Sequence, residues 1–209
     1  MTARKSRHHH GNLRATLVAA GVVLVDRSGP DALSTRKLAA QAGVSHAAPA
    51  HHFPSLTHLR TAVAAEGFRR FTAAMEDAMG RADAHPRAQC DAACRGYIAF
   101  ARGHPGLFQL IFGGHDLVRE DVEFCAASGQ AAALLSRIAA PFAAGARDRA
   151  AVETMIWAQV HGFCSLMLSG QLAVADGIDP ADWFLSLPGR APVGSDAAHF
   201  PLARNGTAA

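Results

Sequence analysis

Residues 34–53 read STRKLAAQAGVSHAAPAHHF. Within this stretch, Thr35 to Ala42 places Leu38, Ala39 and Ala42 on one side at helical spacing, which predicts a short amphipathic helix. Gly43 follows where that helix should stop, because glycine enters the left-handed conformation without a steric cost. Val44 supplies an apolar plug. Ser45 stands where its hydroxyl can accept a free amide of a following helix, expected over about residues 46–53. The small Ala39 lets the two helices approach closely. Two short helices joined by a tight glycine turn form a helix-turn-helix, whose second helix enters the DNA major groove.

Working outward, residues 12–27 are expected to be an amphipathic helix with Leu13, Leu17, Ala20, Gly21 and Leu24 on one side. The run G-P-D-A-L-S-T-R-K-L-A-A-Q-A-G-V-S begins at Gly29, and H-H-F-P-S follows at 51–55. Over about residues 8–65 this pattern resembles the three-helix DNA-binding domain of the tetracycline-repressor (TetR) family. The HHHGNLR segment at 8–14 is similar to that family's lead-in to its first helix. A second likeness lies far along the chain. Trp157, His161 and Gly162, in WAQVHGFCSLMLSG, resemble the WHG signature of one class of TetR C-terminal domains, and HPGLFQLIFGG at 104–114 fits the same class.

Composition agrees with a helical, folded chain. Half of the 209 residues are apolar, so a core can form, while only 7% are aromatic. Ala, Leu and Arg dominate, which favours helix over strand. No apolar run approaches the ~20 residues that span a bilayer, and no apolar segment follows Arg4, Lys5 and Arg7 as in a signal peptide. A cytoplasmic protein with no membrane partner is expected. The four cysteines, Cys90, Cys94, Cys125 and Cys164, form no C-x-x-C pair and are expected to be reduced, small apolar residues.

Charge is segregated. Residues 1–60 carry eight Lys/Arg against two acids, a net +6, and leave the remainder at −3. Seven of the twelve histidines also lie in those sixty residues. A basic front coinciding with a helix-turn-helix is the electrostatic footprint of a polyanion binder.

The expected organisation is all-α. A flexible basic arm, 1–9, precedes a DNA-binding domain over 10–70, with its helix-turn-helix at 34–53. A helical regulatory and dimerisation domain spans 71–187, and a tail of Gly, Ala and Pro spans 188–209. Beyond the motif, helices are expected at 56–79, 86–103, 106–112, 119–140 and 147–169. A last short helix should be opened by Asp179 as cap and Pro180 at its first position.

Phosphate contacts should come from the starts of the second and third helices, where free amides and the dipole favour anions, so Thr35, Arg36 and Ser45 are candidates. Base-edge contacts should come from His46, Ala47, Ala48 and His51. Arg4, Lys5 and Arg7 could enter an adjacent minor groove. Three departures from the family pattern bear on these roles. Ala50 stands where the family usually has tyrosine, Leu56-Thr57 replace its lysine after F-P-S, and Pro49 sits inside the recognition helix. With Ser45 as cap, Pro49 removes only one early hydrogen bond, and the helix is expected to survive.

The resemblance further implies a near-palindromic operator, a homodimer and an unknown small-molecule effector held between helices of the second domain. Phe100, His104, Phe108, Gln109, Phe112, Trp157, His161 and Cys164 are the candidate lining, with His104, Gln109, His161 and Cys164 as polar groups on an apolar wall. The residues alone also allow an ordinary helical core there. No cofactor is expected. His104, His115, Cys125 and His161 show no metal-ligand spacing, and no G-x-S-x-G, H-E-x-x-H or P-loop pattern occurs. A DNA-binding regulator, in the family's common outcome a repressor released by ligand, is the reading these features favour. A ligand-independent activator or architectural protein stays open, as does a metal-binding or enzymatic bundle with a vestigial helix-turn-helix.

Overall fold

The computed structural model describes residues 13–188, apart from the side chains at 146 and 147. The expected basic arm with Arg4, Lys5 and Arg7, and all but the first residue of the expected tail, lie outside the described residues. Eight α-helices and no strand occur among the described residues: α1 (Leu13–Ser28), α2 (Thr35–Ala42), α3 (Leu56–Gly80), α4 (Pro86–Gly103), α5 (Pro105–Phe112), α6 (Val122–Ala139), α7 (Ala146–Leu168) and α8 (Pro180–Ser186).

Local chemistry sets the helix ends. Ser34, in extended conformation, accepts the Lys37 amide and starts α2. Gly43 ends it at φ 66°, ψ 33°, and the Val44 amide closes onto the Ala39 carbonyl. Asp121 caps α6, and Asp179 caps α8 ahead of Pro180. The expected start of α6 at residue 119 therefore moves to Val122, because Asp121 is the residue whose carboxylate accepts a first-turn amide.

The main correction concerns the third helix. Residues 46–53 form no α-helix; a turn at His46-Ala47 leads into a 3₁₀ segment, Ala48–His51. Ser45 makes no side-chain cap there, and its carbonyl instead accepts the Ala48 amide at 3.0 Å. Pro49, fully buried, has no N–H and disfavours an α-helical residue before it. The segment then closes where the amides of His52 and Phe53 both reach the Pro49 carbonyl.

Helix α3 is the central pillar. It packs against α1, α4, α5 and α6. Ala62 to Ala65 are all buried, so small side chains let neighbours close in around it. The helix runs through residue 70, the expected domain boundary, without a break, and one buried cluster extends from Leu17 in α1 to Phe184 in α8. Polar ties reinforce the join. Thr61 donates to the Thr57 carbonyl and accepts the Val118 amide at 2.9 Å, Thr57 donates to Asp116, and Arg14 pairs with Glu123 at 3.0 Å. The segment between α5 and α6 is thereby held to the helix-turn-helix end of the molecule.

Candidate DNA interface and effector cavity

At the helix-turn-helix end, the buried side chains Leu38, Ala39, Pro49 and Phe53 hold α2 and the 3₁₀ segment against the core. What remains outward is polar, small or basic: Thr35, Arg36, Ser45, His46, Ala47 and His51 are exposed, and Ala48 is half-buried. The first turn of α2 carries Arg36 and Lys37, both exposed, beside the helix's free amides. This is a small, cationic, donor-bearing face suited to phosphate. In the 3₁₀ segment three residues complete a turn, so His51 and Ala47 no longer share the face that an α-helix would give them.

The other end holds a cavity of about 320 Å³ among α3, α4, α5, α6 and α7. Phe68, Phe71 and Met75 of α3 form one wall, and Cys90, Cys94 and Tyr97 of α4 another. Ile111 and Phe112 of α5 close one side; Leu135 and Ile138 of α6 face Ile156, Trp157 and Val160 of α7. Of the residues expected to line a ligand site, Phe112 and Trp157 reach this cavity. Trp157 is 46% exposed, so it stands where the wall meets solvent.

A second, more polar hollow of about 520 Å³ lies where α1, α5 and α7 meet. It takes in Phe108, Gln109, Phe112 and His161 of the expected residues, together with Asp26, Gly29 and Ser165. Phe100, His104 and Cys164 border neither space. Phe100 turns into the core, 5.4 Å between ring centroids from Phe71, and Cys164 is fully buried. His104 is drawn away because its Nδ1 lies 2.7 Å from Asp26 Oδ2 of α1.

Tyr97, the chain's single tyrosine and missed as a site residue, links the two spaces. Its hydroxyl is 2.8 Å from His161 Nδ1, and the Trp157 indole is a further hydrogen-bonding neighbour of the phenol. Burial pushes the Tyr97 phenol far above its usual range, the nearby Cys164 and Cys94 thiols adding to the rise, and holds the His161 imidazole below its own. The neutral phenol and the neutral imidazole thus share one hydrogen bond, whose donor is set by the ring's tautomer. Phe112 stacks on Tyr97 at 6.2 Å and 14°, and Phe108 stacks on His161 at 5.4 Å and 25°. A buried aromatic carrying a polar tip, one helical turn from Cys94 and Phe100, was the available sequence signal for Tyr97. None of the four cysteines is in a disulfide, and among the described residues no group of three His, Cys, Asp or Glu is placed to hold a metal ion.

A basic helix-turn-helix end joined to a helical body with an internal cavity defines a DNA-binding transcriptional regulator. Family comparison agrees: the model for bacterial regulatory proteins of the tetR family matches residues 17–63, and that for the tetracyclin repressor-like C-terminal domain matches residues 90–187. The chain belongs to the TetR family. It is 34% identical to a protein of unknown function from Rhodococcus sp. RHA1, at TM-score 0.72, with 87% of this chain and 94% of that one covered. It is 29% identical over 169 residues to an uncharacterized HTH-type transcriptional regulator of Mycobacterium tuberculosis, covering 79% of this chain and 73% of the other. The same fold occurs in the transcriptional regulator FadR from Bacillus subtilis in complex with stearoyl-CoA, at 15% identity and TM-score 0.61, covering 83% and 94% of the two chains.

Proposed function

We propose that this regulator is a homodimeric repressor that leaves a near-palindromic operator when a small molecule enters the cavity among α3–α7. Residues 10–70 serve as the DNA-binding domain and 71–187 as the regulatory and dimerisation domain. Thr35, Arg36 and Ser45 contact phosphate, while His46, Ala47, Ala48 and His51 meet base edges. With the 3₁₀ segment in place of a recognition helix and Ala50 in place of tyrosine, anchoring falls more heavily on Arg36 and Lys37. No catalytic step is assigned.

One observation carries the regulatory half of this reading: Phe112, a cavity wall, sits on α5, whose first turn is bonded to Asp26 of α1. A ligand that displaces Phe112 or Ile111 shifts α5, and α5 carries α1 with it. In a dimer the two motifs face half-sites about one helical turn apart, ~34 Å, so a small rotation of α1–α2 removes one motif from register. The stearoyl-CoA complex of FadR supports a ligand-taking scaffold. Dimerisation is supported by the outer faces of α6 and α7. Val122, Ala126, Gly129 and Ala133 share one exposed side of α6; Met155, Ala158 and Leu166 share one of α7. Packed against a second copy, these helices make a four-helix interface.

Selection of bound sequences from a random DNA pool, followed by titration of the selected duplex with and without small molecules, tests the proposal. A palindromic consensus bound by two protomers is expected. Recovery of no enriched sequence, or binding by a single protomer, would overturn it.

A further inference from the structure

We infer that the molecule taken into the cavity among α3–α7 is an uncharged, hydrocarbon-rich compound of about ten heavy atoms, held without an ion pair. This rests on the reading of that cavity as the effector site, and it names the ligand's chemistry. Size comes first. A volume of about 320 Å³ holds about ten groups of water or methylene size, at ~30 Å³ each. The cavity opens to solvent beside Trp157, so a charge carried inward of that mouth is buried with the ligand.

The walls then decide against charge. None of the lining residues is Asp, Glu, Lys, Arg or His. The hydroxyls present are already engaged with the protein. Tyr97 is bonded to His161, and Ser128 Oγ donates to the Phe124 carbonyl at 2.8 Å. A carboxylate inside would meet no cation, and the cavity already drives the Tyr97 phenol away from its anion.

A cation fares no better, although the walls are aromatic. Phe68 meets Phe71 and Phe112 edge-to-face, and Phe71 meets Phe112 and Tyr97 in the same way. The rings thus spend their faces on one another's edges. A cation–π contact is also weaker than the cost of burying an unpaired ammonium. A neutral apolar body loses nothing on entry and gains contact with Phe68, Met75, Ile111, Leu135, Ile138 and Val160.

The test uses the full-length chain and three probes of one length, nonan-1-ol, nonanoate and nonylammonium, titrated calorimetrically at pH 7. Nonan-1-ol is expected to bind at least ~10-fold more tightly than either ion. Equal binding by either ion, or no binding by any of the three, overturns the inference. Ala131→Phe, which fills the cavity from α6, should weaken nonan-1-ol binding by at least ~10-fold while the circular dichroism spectrum is retained. Leu135→Phe serves the same purpose should the first variant fail to fold. Undiminished nonan-1-ol binding in a folded variant places the probe elsewhere and also overturns the inference. Operator binding is read separately, by anisotropy of the selected duplex. Discrimination among the three probes without loss of operator binding upholds the ligand class and overturns ligand-driven release.

Discussion

Asp26 of α1 caps α5 from outside that helix: its Oδ2 lies 2.7 Å from His104 Nδ1, and its Oδ1 accepts the Leu107 amide at 3.3 Å. A carboxylate on the first helix thus satisfies a free amide in the first turn of a helix 78 or more residues later. Beside it, Gly106 packs directly on the backbone of α1, and a methyl group there would overlap the Val25 carbonyl. The junction of the two halves therefore combines a close backbone approach with hydrogen bonds to one carboxylate side chain.

Asp26→Asn should lower stability by ~1–2 kcal/mol, since a half-exposed charge-assisted pair loses part of its strength to solvent. Urea midpoints measure that loss. The same variant should retain operator binding and respond less to a cavity ligand. A full ligand response in Asp26→Asn would mean that the signal reaches α1 by another route.

Gly106→Ala should be worse than its size suggests. The added methyl meets backbone, which cannot rotate aside, so α5 must move off α1 at a cost of ~1–3 kcal/mol. Thermal unfolding of this variant should begin at lower temperature than the parent; a parent-like transition would show that α5 is free to shift.

Arg36→Ala tests the basic face. Exposed in the first turn of α2, Arg36 is expected to neutralise one phosphate. Its loss should weaken binding to all DNA sequences and flatten the log–log salt slope by ~0.9. An unchanged slope assigns that phosphate to another residue.

Met155→Glu and Leu166→Glu address the outer face of α7. Both residues are exposed in the single chain, so neither substitution should unfold it. If this face buries the ~1,000 Å² or more that a stable dimer needs, each buried carboxylate should shift the protein to monomer in sedimentation. Dimers of unaltered stability would move the interface away from α7.

Stability should decline at both ends of the pH scale. Burial holds His161 below its ordinary value of 6.5, so under mildly acid conditions the unfolded chain takes up a proton that the folded chain refuses. Stability is then lost as pH falls below about 6.5. Burial pushes the Cys164 thiol from 9.0 up to about 12, so between those values only the unfolded chain releases its proton. Stability falls as pH rises through that window. Urea titrations across pH should give a flatter acid limb for His161→Gln and a flatter alkaline limb for Cys164→Ala.

Local rules made much of this protein legible in its sequence. Helical spacing, Gly43 and the Asp179-Pro180 start marked α2 at its observed limits and α8 at its observed beginning, because capping and left-handed turns depend on residues within four or five positions. Charge segregation and the motif marked the DNA-binding end for the same reason. Pro49 was visible too, but whether one proline bends a helix or replaces it by a 3₁₀ turn depends on how the segment packs. Here Pro49 and Phe53 are both buried, and the turn that buries them closes on the Pro49 carbonyl.

Tertiary structure decided the cavity and the junction. Phe100, His104, Trp157 and His161 carry similar sequence signals, yet only Trp157 reaches the apolar cavity; His104 pairs with Asp26 and His161 with Tyr97. Those pairs join residues 78 and 64 positions apart. Helical periodicity selects the face of a helix that turns inward; it carries no information about which distant helix that face meets, and that is set by the packing of α1, α4, α5 and α7 around one shared core.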